Sequence, residues 1–284
     1  MDQITSSLID LALSEDLGPG DVTSAYFVPE DRTSRGLIVA KEDGVISGVE
    51  VTAEVFRRVD ESTEVRTLLE SGSHVSAGAC VLEVRGKARS LLTAERVALN
   101  FLQRLSGVAT RTREFVAKVE GSGARILDTR KTTPGWRSLE KAAVVSGGGT
   151  NHRMGLYDRA MVKDNHLVAE GGLSALQAAI DRLKKDKPGV EVELEADRLD
   201  QVADFLTLRG VDYLLLDNMD LESLREAVSL RGKEGPQLEA SGGVTLETVA
   251  EIAETGVDFV SVGALTHSAG SLDLSLEFME GEDD

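Results

Sequence analysis

The chain has 284 residues, 41% hydrophobic and 28% charged, which supports a sizeable core in one or two domains and excludes a disordered polypeptide. Its formal net charge of −18 excludes nucleic acid as a partner, because a phosphate backbone is bound by a basic face. No apolar run approaches the ~18 residues of a membrane span, the first residues lack a leader's basic start and apolar stretch, and the one cysteine, Cys80, leaves no intramolecular disulfide, so a cytoplasmic protein with no membrane partner is expected.

Residues 3–16 have helical spacing through Ile4, Leu8, Leu11 and Ala12, and Gly18-Pro19-Gly20-Asp21 stops them. Extended segments follow at 36–40, 45–47, 65–69 and 80–84, with a helix at 50–59, which reads as a small α+β domain. From Thr93 the pattern becomes helical, with Ala94, Val97, Ala98, Phe101, Leu102 and Leu105 in one apolar stripe. Arg96 points away from that stripe, and by pattern alone it is a solvated residue.

From residue 124 the rhythm changes to short apolar runs, each ending in a polar or Gly-containing turn and most followed by a helical stretch. The runs are 124–127, 160–162, 190–194, 213–216, 237–240 and 259–262; the helices fall near 137–145, 172–185, 197–208, 220–230 and 245–254. Such alternation means parallel strands with crossover helices, either a doubly wound sheet or a barrel. Polar residues cluster at the C-terminal ends of the runs, which favours a barrel, where strand ends converge on one mouth. Six strands are fewer than the eight of a regular barrel, so closure is expected to be irregular and incomplete. The tail at 271–279 alternates with period two and is expected to return to the N-terminal sheet as a strand.

Residues 128–166 form a basic island, with seven Lys and Arg against four acids, a local balance of +3 in an acidic protein. An acidic protein that gathers cations, His and a Gly-rich loop in one place has built a pocket for a small anion. Asp128, Thr129, Arg130 and Lys131 end the first strand, and adjacent cations at a barrel mouth repel unless an anion neutralises them. The competing reading is that Asp128 or Glu140 pairs them off. His152 and Arg153 follow Gly147-Gly148-Gly149, and Lys163 ends the next strand ahead of Asp164, Asn165 and His166. Lys163 fits either an anion contact or a Schiff-base nucleophile. Glu193 and Asp217 end two further strands, and carboxylates facing a basic island suit magnesium or a developing positive charge. Ser241-Gly242-Gly243 and Val262-Gly263-Ala264 close the last two, and with a helix starting near Thr245 they form the phosphate cradle of such barrels. His152, His166 and His267 lack the spacing of a zinc site. The residues alone therefore describe transfer of a phosphorylated sugar to or from an acidic acceptor.

The strings EDLGPGDVTS, ERVALN, DTRKTTPG, GGGTNHR, VKDNH, VEVE, LLLDNM, EASGGV and SVGALTH, in order along the whole chain, resemble the quinolinate phosphoribosyltransferases. That resemblance implies an open-faced α/β sandwich with its entry helix over 1–105, an incomplete α/β barrel over 106–270, and a homodimer whose sandwich covers the partner's barrel mouth. The activity it implies is a magnesium-dependent pentosyl transfer in NAD biosynthesis. It joins quinolinate and phosphoribosyl pyrophosphate to give nicotinate mononucleotide, pyrophosphate and carbon dioxide. Carried over by position, the quinolinate contacts are Arg130, His152, Arg153 and Lys163 with Arg96 from the partner, so Arg96 changes from a solvated residue to a site residue. Thr129 belongs to the same substrate-binding strand end. Lys131 would face the pyrophosphate, Glu193 and Asp217 the ribose and magnesium, and Ser241, Gly242, Gly243, Val262, Gly263 and Ala264 the 5-phosphate. Lys131, Glu193 and Asp217 are the expected catalytic residues. Alternatives are a nicotinate-type or transporter-linked phosphoribosyltransferase, and a barrel aldolase using Lys163.

Overall fold

The computed structural model describes residues 1–163 and 172–279, so Asp164, Asn165 and His166 lie outside the described residues. Two compact units are present, one built from 1–113, 132–148 and 265–284, the other from 114–131 and 149–264.

In the first unit, α1 (Gln3–Leu17) starts at Asp2, whose carboxylate accepts the Thr5 N–H at 2.9 Å, and stops at Gly18 with φ +48°. The expected helix forms, but on another face. Thr5, Ile9 and Leu13 are buried while Ile4 and Leu11 are each 65% exposed; Ile9 and Leu13 sit four apart and make the inward row. A six-residue helix, α2 (Val22–Phe27), capped by Asp21, follows the Gly18-Pro19-Gly20-Asp21 stop. The antiparallel sheet has the order β12 (Leu274–Phe278), β1 (Thr33–Ala40), β5 (Cys80–Lys87), β3 (Glu64–Thr67), with a separate ribbon of β2 (Gly44–Val45) and β4 (His74–Val75). Thus the tail does return to this sheet, pairing Gly36 with Phe278 through Ala40 with Leu274. The third helix, α3 (Val49–Val59), buries Val51, Val55 and Phe56.

The long helix α4 (Ala88–Lys118) buries every member of the apolar stripe. It also anchors the returning tail. A side chain at Gly107 would put its Cβ 1.9 Å from the Gly270 carbonyl oxygen, so only glycine lets the tail lie against the helix. The Leu272 N–H then donates to the Gln103 carbonyl at 3.0 Å. Arg104 donates to the carbonyls of Thr266 and Ala269 and to the buried Glu140 of α5 (Arg137–Ser146). Although α5 follows a barrel strand in sequence, it belongs to this unit, where Trp136 just before it stacks on Phe101 at 4.8 Å.

The second unit is a six-stranded parallel sheet in the order β6 (Arg125–Leu127), β11 (Phe259–Ser261), β10 (Gln237–Ser241), β9 (Tyr213–Asp217), β8 (Glu191–Ala196), β7 (Arg159–Val162). Among the described residues no ladder joins β7 to β6, and Thr150 bridges to Leu127 at that edge, so the barrel is incomplete. Helices α6 (Gly172–Asp186), α7 (Leu199–Phe205), α8 (Leu221–Arg231) and α9 (Val249–Ala253) provide the crossovers, and α10 (Ala264–His267) follows β11. Val192, Leu194, Leu214, Leu216, Leu238 and Val260 are buried. The intervening positions of β8, β9 and β10 carry Glu193, Glu195, Leu215, Asp217, Glu239 and Ser241, which point to the opposite face. Among the described residues no helix is long and apolar enough to cross a membrane.

Candidate active site

One cavity of about 450 Å³ opens at the C-terminal ends of these strands, lined by Thr129, Arg130, Lys131, His152, Arg153, Met161, Lys163, Glu195, Leu215, Asp217, Asn218, Glu239, Ser241, Gly242, Gly243 and Ser261. Every one of them belongs to the second unit. Residues separated by more than 100 positions converge because parallel strands in register deliver their ends to one rim.

The basic end is built from β6, β7 and the segment between them. Buried Asp128 accepts the His152 N–H at 2.8 Å and so fixes that segment to the end of β6. The Thr129 hydroxyl accepts the Lys131 N–H at 3.0 Å and shapes the turn. Arg153 donates to the Arg159 carbonyl at 3.1 Å and approaches the Met161 sulfur at 3.4 Å. Burial and the nearby Arg130 both lower its pKa, as expected for clustered cations that an anionic ligand would relieve. Lys163 forms an ion pair with Glu195. Glu140, one of the acids considered as a partner for Arg130 and Lys131, accepts from Thr133 and Arg104.

The floor of the cavity is a buried ionic layer. His152, only 7% exposed, places Nε2 at 3.2 Å from Glu193 and 3.4 Å from Glu239, both of which have no exposed surface. Burial opposes a charge on the ring, but the two carboxylates outweigh it and raise its pKa to about 9. Its Nδ1 accepts the Arg153 N–H at 2.6 Å, an arrangement suited to a ring with its proton on Nε2. The two features pull in opposite directions. The pair of buried carboxylates is the stronger influence, because their charges act in a medium with little solvent while the amide contact joins adjacent residues. Burial raises Glu239; Glu193 is lowered, since His152 and Arg159 more than offset its desolvation.

At the opposite end the backbone makes the site. Asn218 is, among the described residues, the non-glycine position with positive φ, +55°. Its amide donates to the Asp217 carboxylate at 2.8 Å and its N–H to the Ser241 carbonyl at 2.8 Å. A side chain at Gly242 would place Cβ 2.1 Å from the Asn218 side-chain oxygen, and Gly242 and Gly243 have φ of +102° and +59°. Only glycine fits this approach.

The cavity therefore brings together Thr129, Arg130, Lys131, His152, Arg153, Lys163, Asp217, Ser241, Gly242 and Gly243. Glu193 lies a layer deeper, because β8 runs on to Ala196 and Glu195, two residues later on the same face, reaches the lining. Val262, Gly263 and Ala264 are not lining residues, and the Val262 N–H is taken by the Leu127 carbonyl at 2.9 Å. The expected helix near Thr245 begins instead at Val249, so the glycine edge is followed by turns rather than a helix terminus. Arg96 is exposed on α4 in the first unit. His267 contacts Ser268 at 2.7 Å. Sequence reasoning missed Glu195, Asn218, Glu239 and Ser261. Period-two alternation, continued from Glu193 and back from Ser241, would have found both carboxylates.

The model of the quinolinate phosphoribosyl transferase C-terminal domain matches residues 108–277 and that of the N-terminal domain residues 21–106. A quinolinate phosphoribosyltransferase [decarboxylating] of Nicotiana tabacum is 43% identical over 95% of this chain and 81% of its own. A probable nicotinate-nucleotide pyrophosphorylase [carboxylating] of Bacillus subtilis is 41% identical over 93% and 89%. The solved nicotinate-nucleotide pyrophosphorylase of Francisella tularensis superposes with a TM-score of 0.89 at 36% identity, covering 97% of this chain and 96% of that one.

Proposed function

The chain belongs to the quinolinate phosphoribosyltransferase family, and from that premise we propose how its cavity carries out decarboxylating transfer of phosphoribosyl from phosphoribosyl pyrophosphate to quinolinate. The observation that carries this reading is the division of one cavity into a cationic end and a glycine-lined end with Asp217 beside it. Arg130, Arg153 and Lys163 take the two quinolinate carboxylates; charge-assisted hydrogen bonds of this kind contribute ~1.5–3 kcal/mol each. Glu195 gives up its ion pair with Lys163 when the dianion enters. Ser241, Gly242 and Gly243 receive the 5-phosphate through hydroxyl and backbone N–H groups.

The donor set in the cavity fits magnesium. Asp217 and Glu195 supply hard oxygen ligands, and His152 is turned away toward buried carboxylates. Asp217 would hold the ion together with substrate phosphates, and Glu193 would act only indirectly from its deeper layer. When bound, magnesium neutralises charge on the pyrophosphate. Lys131 stabilises the same leaving group, while Asp217 favours the positive charge that grows on ribose C1 as its bond to pyrophosphate oxygen breaks. The quinolinate nitrogen donates its lone pair to C1. The ring, now cationic, loses the 2-carboxylate as carbon dioxide, and the electron pair left on C2, stabilised by the adjacent N⁺, takes a proton. No protein nucleophile is required, so Lys163 serves as a contact rather than a Schiff base.

The same reading places Arg96 in the partner's cavity within a homodimer, and the protein in a reducing cytoplasm, consistent with its single cysteine. Incubation with magnesium, phosphoribosyl pyrophosphate and either quinolinate or nicotinate tests it. Nucleotide with carbon dioxide from quinolinate alone is expected; turnover of nicotinate instead would keep the glycine end and overturn the basic end.

A further inference from the structure

Glu239 on β10 has no solvent-exposed surface, yet it is ionisable and forms part of the cavity floor. Its Oε1 accepts from the Ser261 hydroxyl at 2.5 Å, and its Oε2 faces His152 Nε2 at 3.4 Å. Glu193 on β8 faces the same nitrogen at 3.2 Å. The imidazole is therefore held between two strands, its main-chain N–H is tied to Asp128, and its Nδ1 receives the N–H of Arg153. Each ring nitrogen is thus already engaged with the protein. A charge pair is expensive to bury and must be closely paired to survive there, so the geometry calls for a purpose beyond packing.

A metal ion is the competing explanation, since ligating atoms of His152, Glu193 and Glu239 lie within 4.8 Å of one another. Arg159 opposes it, with Nη1 3.6 Å from Glu193 and its guanidinium 3.9 Å from the Tyr213 ring centre. Positive charge is already supplied to these carboxylates by side chains. What the layer does hold is the backbone on which Arg153 stands, while the Arg153 guanidinium is aligned along β7 by the Arg159 carbonyl and Met161.

We propose that Glu239, with Glu193, is a positioning residue for the acidic substrate: the two carboxylates clamp His152 and thereby set where Arg153 meets quinolinate. The inference rests on the assignment of Arg153 to quinolinate. His152 remains part of the cavity lining, so the clamp fixes it and Arg153 together.

The test is Glu239→Gln, which keeps size and an acceptor for Ser261 but removes the charge. The quinolinate KM should rise about tenfold, a loss typical of one weakened charge-assisted contact, with kcat and the phosphoribosyl pyrophosphate KM within about twofold. Glu239→Asp should recover part of the loss. Hydrogen exchange of amides 150–154 should quicken while that of 214–217 stays unchanged. Equal rises in both KM values, or unchanged exchange at 150–154, would overturn the clamp. Ser261→Ala, which removes only the hydroxyl on Oε1, should move the same quantities less, and it carries the test should Glu239→Gln fail to fold. If the wild-type protein does not turn over quinolinate, the activity assignment fails by itself, and exchange alone then decides the clamp.

Discussion

The two ends of the cavity hold their residues by different means. At the basic end, long cationic side chains are positioned by other side chains, with Asp128, Glu193 and Glu239 fixing His152 and the chain beside it. At the glycine end the backbone is the device, with Asn218 and Gly242 in left-handed conformations and a contact too close for any Cβ. Side-chain scaffolds lose function in graded steps, because each cation makes its own contribution. A backbone scaffold loses it all at once, because one added methyl group displaces the turn and the carboxylate attached to it.

The largest effect is therefore expected from Gly242→Ala. Its Cβ would fall 2.1 Å from the Asn218 side-chain oxygen at a φ of +102°, adding about 1–3 kcal/mol of strain and moving Asn218, which orients Asp217. Displacements near 1 Å can cost ~100-fold in rate, so kcat should fall by about that factor, and calorimetry should show weakened phosphoribosyl pyrophosphate affinity with quinolinate binding little altered. Normal affinity would mean that the glycine end is as tolerant as the basic end.

Arg153→Ala should have the next largest effect, in the opposite substrate. Removing its charge-assisted contacts, ~1.5–3 kcal/mol, should raise the quinolinate Kd roughly tenfold to a hundredfold and leave phosphoribosyl pyrophosphate binding intact. Arg130→Ala should behave alike. Equal loss of both substrates would erase the division between the ends.

A smaller, partial effect tests whether the basic end is completed in trans. Arg96→Ala and Lys163→Ala proteins should each be impaired, and verified hybrid dimers formed by mixing them should regain some activity, since one of their two cavities would carry both native residues. Hybrids with no recovery would remove Arg96 from the site.

The same contrast explains what was legible in the sequence. The barrel strands were readable because buried parallel strands are short apolar runs closed by turns, and Asp128–Lys131 announced the basic end by charge alone. The first helix was found but its face was not, since Ile4 and Leu11 compete with Ile9 and Leu13 for the apolar row and only tertiary contacts decide. Ending the third strand at Leu194 hid Glu195 and made Glu193 seem the residue at the rim. The positive φ of Asn218 left no trace, because a left-handed asparagine is imposed by its neighbours, here Ser241 and Gly242. Composition thus reveals side-chain scaffolds more readily than backbone ones.

The mildest prediction uses pH, to which only the side-chain scaffold should respond. The carboxylates beside His152 raise its pKa from 6.5 to about 9 against the opposing effect of burial. A group with a raised folded-state value contributes stability that is fully present below its unfolded pKa and is lost as pH rises through the folded one. Glu239, also raised chiefly by burial, contributes stability of the same sign, lost as pH rises from the ordinary carboxylate value through its own raised one. Glu193, lowered, contributes stability only above the ordinary carboxylate range, and that contribution is complete before this window opens. The urea midpoint should therefore fall between about pH 7 and about pH 10, and His152→Gln should flatten that slope. Quinolinate affinity should weaken over the same window more than phosphoribosyl pyrophosphate affinity, because the clamped His152 stands beside Arg153 and not beside Gly242. A slope unchanged by His152→Gln would assign the alkaline loss to other groups and leave the buried layer with a purely steric part.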